Sequence, residues 1–143
     1  MRNAAIRMVS SVLLSGFCSY AASQDIVYRD LAAKGVKPLS GEEVKKTLAG
    51  ARLITEWGSN KLSLQFDADG SVGGWVESAR GNSGVTGTWT VNDKHQYCWE
   101  IKVTATGTPG NSCRRLFRAG DDLYTAVSGQ GYDAMMRKLE FAK

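Results

Sequence analysis

His95 is the only imidazole in the chain, and it stands beside an Asn92-Asp93-Lys94 turn. Nucleophilic catalysis by Ser or Cys needs a base held against the nucleophile and a third group to orient that base. A lone histidine at a turn predicts an exposed structural residue instead. Asp67 and Asp69 are the one close carboxylate pair of note, within Phe66-Asp67-Ala68-Asp69-Gly70. A calcium loop would continue with further oxygen ligands and a closing Glu. The chain continues Ser71-Val72-Gly73-Gly74-Trp75, so the segment reads as a hairpin turn. Gly73-Gly74 falls inside a strand pattern, where a bulge or sharp bend is expected rather than a phosphate loop. No catalytic residue, cofactor site or metal site is expected, and the protein is read as not an enzyme.

Cysteine chemistry points to structure. Cys18 lies in an apolar N-terminal stretch, leaving Cys98 and Cys113 as an even pair. Zinc held by two thiols would lack further ligands in a chain with one histidine. A Cys98–Cys113 disulfide is expected, which in a short loop stabilises by about 3 kcal/mol on the chain-entropy account.

Arginines and aromatics offer binding chemistry. Tyr97, Trp99, Ile101 and Val103 alternate with Cys98, Glu100 and Lys102, which predicts the first set on the core face. Cys98 then points outward, and so does its partner Cys113. Strict alternation from Cys113 puts Arg114, Leu116 and Arg118 inward, and Arg115 and Phe117 outward. Buried arginine is costly unless paired or bound to an anion. Three readings follow. A bulge after Cys113 flips the parity and leaves a solvated basic face, which is the plainest; or the arginines pair with acids such as Glu56 or Glu77; or they line a cavity mouth and receive an anion. Arg137 shares a face with Leu139 and Phe141 and raises the same question. Trp89 and Trp99 read as core, Trp57 as a residue near a barrel rim, and Trp75, after two glycines, as outward.

The elements that position these residues begin after a leader. Residues 1–23 combine Arg2 and Arg7, an apolar Met8–Cys18 stretch, and Ala21-Ala22-Ser23 before Gln24. That is the pattern of a secretory signal peptide. The apolar run is too short for a membrane span, which needs about 20 residues. Phe17 is too bulky for a good lipoprotein signal at Cys18. Loss of the leader removes two arginines and no acid, taking the formal charge from +4 to +2. So near-neutral a chain lacks the dense basic stripe that nucleic acid requires. An exported protein, periplasmic or secreted, is expected, with no stable membrane span and no nucleic-acid partner.

Residues 24–50 form a helical N-terminal segment. Ser40 and Glu43 have capping-box spacing, Leu39 and Val44 occupy the staple positions, and Gly50 suits a helix end. An earlier helix is expected within Asp25 to Lys34. From Ala51 the hydrophobic period changes to two. Eight strands are expected, at 51–57, 61–66, 71–78, 85–91, 95–104, 113–118, 123–127 and 134–141. The turns between them include Ala119-Gly120-Asp121-Asp122 and Ser128-Gly129-Gln130-Gly131. The fold class is mainly β: an eight-stranded antiparallel meander barrel over residues 51–143, with a two-sheet sandwich as the alternative.

Gly50, Phe66-Asp67-Ala68-Asp69-Gly70, Gly87-Thr88-Trp89-Thr90-Val91 and the later Cys98 and Cys113 resemble a widespread type of small exported bacterial protein of unknown function. Those proteins are calycin-like, similar to lipocalins and avidins in build. The resemblance covers roughly residues 39–143 and implies the barrel fold. Gly58 to Asn82 is also similar to the early hairpin of an avidin. The later tryptophan segments of a biotin site have no counterpart here, so biotin binding is not implied.

A binding module is therefore expected. Large inward residues (Leu62, Leu64, Phe66, Trp89) favour a filled barrel whose rim, with Trp57, Trp75, Arg114, Arg118 and Arg137, recognises an envelope or extracellular protein. The alternative is a carrier of a small apolar, amphipathic or anionic ligand, lined by Tyr97 and Trp99 with Arg114 or Arg118 at the mouth.

Overall fold

The computed structural model describes residues 26–128 and 131–142, so the expected leader and part of the expected Ser128–Gly131 turn lie outside the described residues. Strand β1 (Ile26–Val27) leads into helix α1 (Tyr28–Ala33), and helix α2 (Gly41–Leu48) follows. A run of strands then continues: β2 (Arg52–Trp57), β3 (Asn60–Phe66), β4 (Ser71–Ser78), β5 (Gly81–Val91), β6 (Gln96–Val103), β7 (Pro109–Ala119) and β8 (Asp122–Ser128). A 3₁₀ turn at Gly131–Asp133 precedes β9 (Met135–Lys138) and β10 (Glu140–Phe141).

All pairings are antiparallel and make one curled, half-barrel sheet in the order β1-β9-β8-β7-β6-β5-β4-β3-β2-β10. Ten strands, rather than the expected eight, are present among the described residues. One addition is β1, whose Ile26 and Val27 pair with Met136 and Met135. The other comes from division of the expected 134–141 strand. Met135–Lys138 pairs with β8, then Glu140 and Phe141 pair with Ile54 and Leu53 of β2. The switch falls at Leu139, whose amide still donates to Leu123 O at 2.8 Å. Twisted strands diverge along their length, so one segment serves two neighbours in turn.

Alternation builds the core on the concave face. Leu53, Leu62, Leu64, Phe66, Val72, Val85, Tyr97, Trp99 and Leu116 are all buried there. Helix α2 closes one end with Val44 and Leu48, each 0% exposed. Ser40 Oγ accepts from the Glu43 amide at 3.3 Å and Glu43 Oε2 accepts from the Ser40 amide at 2.8 Å, completing the capping box. Close strand approach bends the sheet at Gly87, where a Cβ would fall 1.8 Å from Glu100 O. Gly74 on the adjacent strand, at φ +151°, is equally constrained by Ser63 O. Only glycine fits such approaches.

The convex face carries a second apolar cluster of Leu31, Phe117, Ala134 and Met136, with Tyr28 packed against it. Phe117 points outward as alternation requires, and α1 covers it; the Tyr28 and Phe117 ring centroids are 4.9 Å apart. The early helix is shorter than the Asp25 to Lys34 reading, because Ile26–Val27 is taken into the sheet.

Candidate functional site

Strand β7 positions the residue of greatest interest. Its register with β6 runs unbroken from Lys102↔Pro109 to Gln96↔Arg115, with Cys98 opposite Cys113 and Tyr97 opposite Arg114. The parity flip after Cys113, read from sequence as the plainest outcome, does not occur. The Cys98–Cys113 disulfide fixes the outward side, with Cα atoms 4.0 Å apart. Leu116, 0% exposed, fixes the inward side. Arg114 lies between them on the inner face and is half-buried. Its Nε donates to Ser112 Oγ at 3.1 Å.

Strands β7 and β8 pair only from Leu116↔Thr125 to Ala119↔Asp122. Beyond that they part, and Thr125 Oγ1 donates to Arg115 O at 2.9 Å where they do so. On the other side β2 parts from the C-terminal segment after Glu140↔Ile54. The space between is a cleft of about 520 Å³, lined on one flank by Ile54, Thr55, Glu56 and the Gly58–Lys61 hairpin and on the other by Arg114, Thr125, Val127, Arg137, Lys138, Leu139 and Glu140.

Charge is unevenly compensated in this cleft. Arg137 pairs with Glu56, realising the internal-pairing reading for that arginine. Lys138 bonds Asp122 at 2.7 Å, which raises its pKa. Among the described residues no carboxylate forms an ion pair with Lys61 or Arg114. Tyr97, beside Arg114, has its phenol pKa raised by burial, against the opposing influence of a Thr125 hydrogen bond and the Arg114 charge. The cleft thus holds two cations without an ion pair among the described residues, beside hydroxyl, amide and aliphatic groups and the carboxylate of Glu140.

The other sequence candidates do not gather around it. Trp99 and Tyr97 are core residues, 2% and 1% exposed. Trp57 is partly buried against the core rather than displayed at a rim. Gly110 makes room for it: a Cβ there would lie 2.9 Å from the indole. Trp75 stands on the outer wall of β4, 36% exposed. The Arg52 guanidinium lies 5.0 Å from its ring centroid, and its Nε1 donates to Glu77 Oε1 at 3.4 Å. Arg118 is directed toward α2 and donates to Thr47 Oγ1 at 3.2 Å. Of the rim set, only Arg114 and Arg137 share a cleft. Sequence reasoning missed Lys61 and Thr125; Lys61 carries a weak signal, since a hairpin at Gly58-Ser59 sets it opposite Glu56.

His95 and the aspartates are engaged in local structure. His95 Nδ1 accepts from the Gly41 amide at 3.0 Å, at the first turn of α2. Ser71 binds Asp69 through its amide at 2.8 Å and its hydroxyl at 2.7 Å. These bonds lower the Asp69 pKa. Among the described residues no group of three or more His, Cys, Asp or Glu is placed to hold a metal ion. Among them, too, no helix is long and apolar enough to cross a membrane. No protein-family model, curated protein or solved structure matches the chain.

Proposed function

We propose that the protein is an exported, non-catalytic binding module, a calycin-like barrel closed by its C-terminal segment, that holds a small ligand in the cleft beside that segment. The observation that carries this reading is Arg114, an inner-face guanidinium in no ion pair among the described residues, which lines that cleft. The dispersal of Trp57, Trp75 and Arg118 over three other locations weighs against a single protein-binding rim. Closure is supported by the C-terminal segment, which pairs with β8 and then β2. Export is supported by the leader pattern of residues 1–23 and by the Cys98–Cys113 pair, which suits an oxidising compartment. A non-catalytic role is supported by the engagement of His95 Nδ1 with α2.

Native mass spectrometry of the protein purified from its host tests the ligand reading. A small molecule retained in stoichiometric amount is expected, and its loss on filling the cleft with Val127→Trp. A bare protein that also binds no small molecule in solution would overturn it. One observation favours a second reading: Trp75 is exposed on the outer wall with Arg52 stacked on it, a pairing suited to a protein partner. Capture of a defined partner that is abolished by Trp75→Ala would support that reading.

A further inference from the structure

Resting on the reading of this cleft as the binding site, we infer that it recognises an oxyanion headgroup, a carboxylate or a phosphate carried on a small apolar body, with Arg114 as anchor and Lys61 as the second cation. A guanidinium on the inner face of a sheet has lost part of its hydration and needs an acceptor in return. Serine satisfies only the Nε of Arg114. Among the described residues neither Nη nitrogen has a hydrogen-bond partner, and neither is a buried unsatisfied atom, since the Ser83 hydroxyl is the sole such group. The fork is therefore open to solvent; Arg114 lines this cleft and also a neighbouring hollow beside Gln96 and Phe117, and in the cleft two parallel N–H donors would match a carboxylate or phosphate edge.

The surrounding charges sharpen the assignment. Arg137 and Lys138 are neutralised by Glu56 and Asp122. Lys61, on the opposite flank, is in no ion pair among the described residues, with Glu56 and Glu77 facing it across the two neighbouring strands. Glu140 also lines the cleft, on the face it shares with its register partner Ile54, so the four basic residues of the lining (Lys61, Arg114, Arg137, Lys138) outnumber its two acids, Glu56 and Glu140. Ile54, Val127 and Leu139 give the cleft an aliphatic side that suits an apolar body. Beyond it the interior is filled by Leu53, Tyr97 and Leu116, each at most 1% exposed, so a long chain has no channel to enter.

Calorimetric titration of the purified protein with benzoate, phenyl phosphate and benzamide tests this, because the three share one body and differ in headgroup. Benzoate or phenyl phosphate is expected to bind at least about tenfold more tightly than benzamide. Whichever is preferred identifies the source of the oxyanion. Arg114→Gln should weaken that binding at least about tenfold, Lys61→Gln by a smaller factor, and added salt progressively. Equal affinity for benzamide, or undiminished binding by a folded Arg114→Gln protein, overturns the inference. If Arg114→Gln does not fold, Lys61→Gln and the salt dependence decide it. A neutral molecule retained in native mass spectra would defeat the oxyanion assignment while leaving the cleft as the site. Absence of both retained molecule and titratable binding would defeat the two together.

Discussion

Arg114 stands directly opposite Tyr97 in the β6–β7 register, so a guanidinium and a buried phenol share the inner face beside the cleft. Burial raises the Tyr97 pKa, and the nearby cation only partly offsets this. A group whose folded pKa lies above its unfolded value gives stability that is present below the ordinary tyrosine range and is lost as pH rises through the folded value. Alkaline titration followed by tyrosinate absorbance should show one late phase that coincides with unfolding. Tyr97→Phe should remove that phase. Ionisation of all tyrosines in the ordinary range with the fold intact would contradict this burial.

The bend of the sheet predicts an asymmetry between two glycines of strand β5 that face opposite sides of the sheet. At Gly87 a Cβ meets Glu100 O at 1.8 Å, whereas at Gly84 it meets only the Thr104 hydroxyl at 3.4 Å. Gly87→Ala should cost about 3 kcal/mol, because backbone must move. Gly84→Ala should be within about 1 kcal/mol of neutral, since the lost unfolded-chain entropy favours alanine. Denaturant unfolding of both variants measures the contrast; equal effects would mean that β5 and β6 approach less closely at Gly87.

Removal of the cross-strand disulfide by Cys98→Ser with Cys113→Ser should lower the unfolding free energy by about 2–3 kcal/mol, given the 15-residue separation. Far-ultraviolet circular dichroism of the variant should keep its strand signature at room temperature, because the register from Gln96 to Lys102 is also held by backbone pairing. Unchanged stability on reduction would show that the two thiols are not bonded in solution.

Acid sensitivity follows from two exposed carboxylates. Hydrogen bonds from the Ser40 backbone and side chain lower the Glu43 pKa, with Arg118 assisting, and Ser71 lowers that of Asp69. For a depressed pKa the stabilisation is present above the ordinary carboxylate range and disappears as pH falls through the folded value. Glu43→Gln and Asp69→Asn should each lower the melting temperature at neutral pH and flatten its fall in acid. A wild-type slope in both variants would locate the acid-sensitive groups elsewhere.

Local chemistry in the sequence determined much of this molecule. The Ser40–Glu43 capping box, the Asp67–Gly70 turn and the inward set Tyr97, Trp99, Ile101 and Val103 all depend on residues within a few positions of one another. The period of two and the hairpin spacings therefore suffice to write them down. The Cys98–Cys113 pair was legible because, apart from Cys18 in the apolar N-terminal stretch, only these two cysteines are present and one histidine leaves zinc short of ligands. Other features depended on contacts between distant segments. Whether β7 bulges after Cys113 is decided by its pairing with β6, and that pairing carries Arg114 inside. The outward Phe117 is covered because α1, about eighty residues earlier, packs across it. The C-terminal strand divides at Leu139 because β8 and β2 diverge on either side of it, and neither strand's direction is written in residues 134–141. The cleft is the space left by that divergence, so its cations are brought together only when the sheet curls.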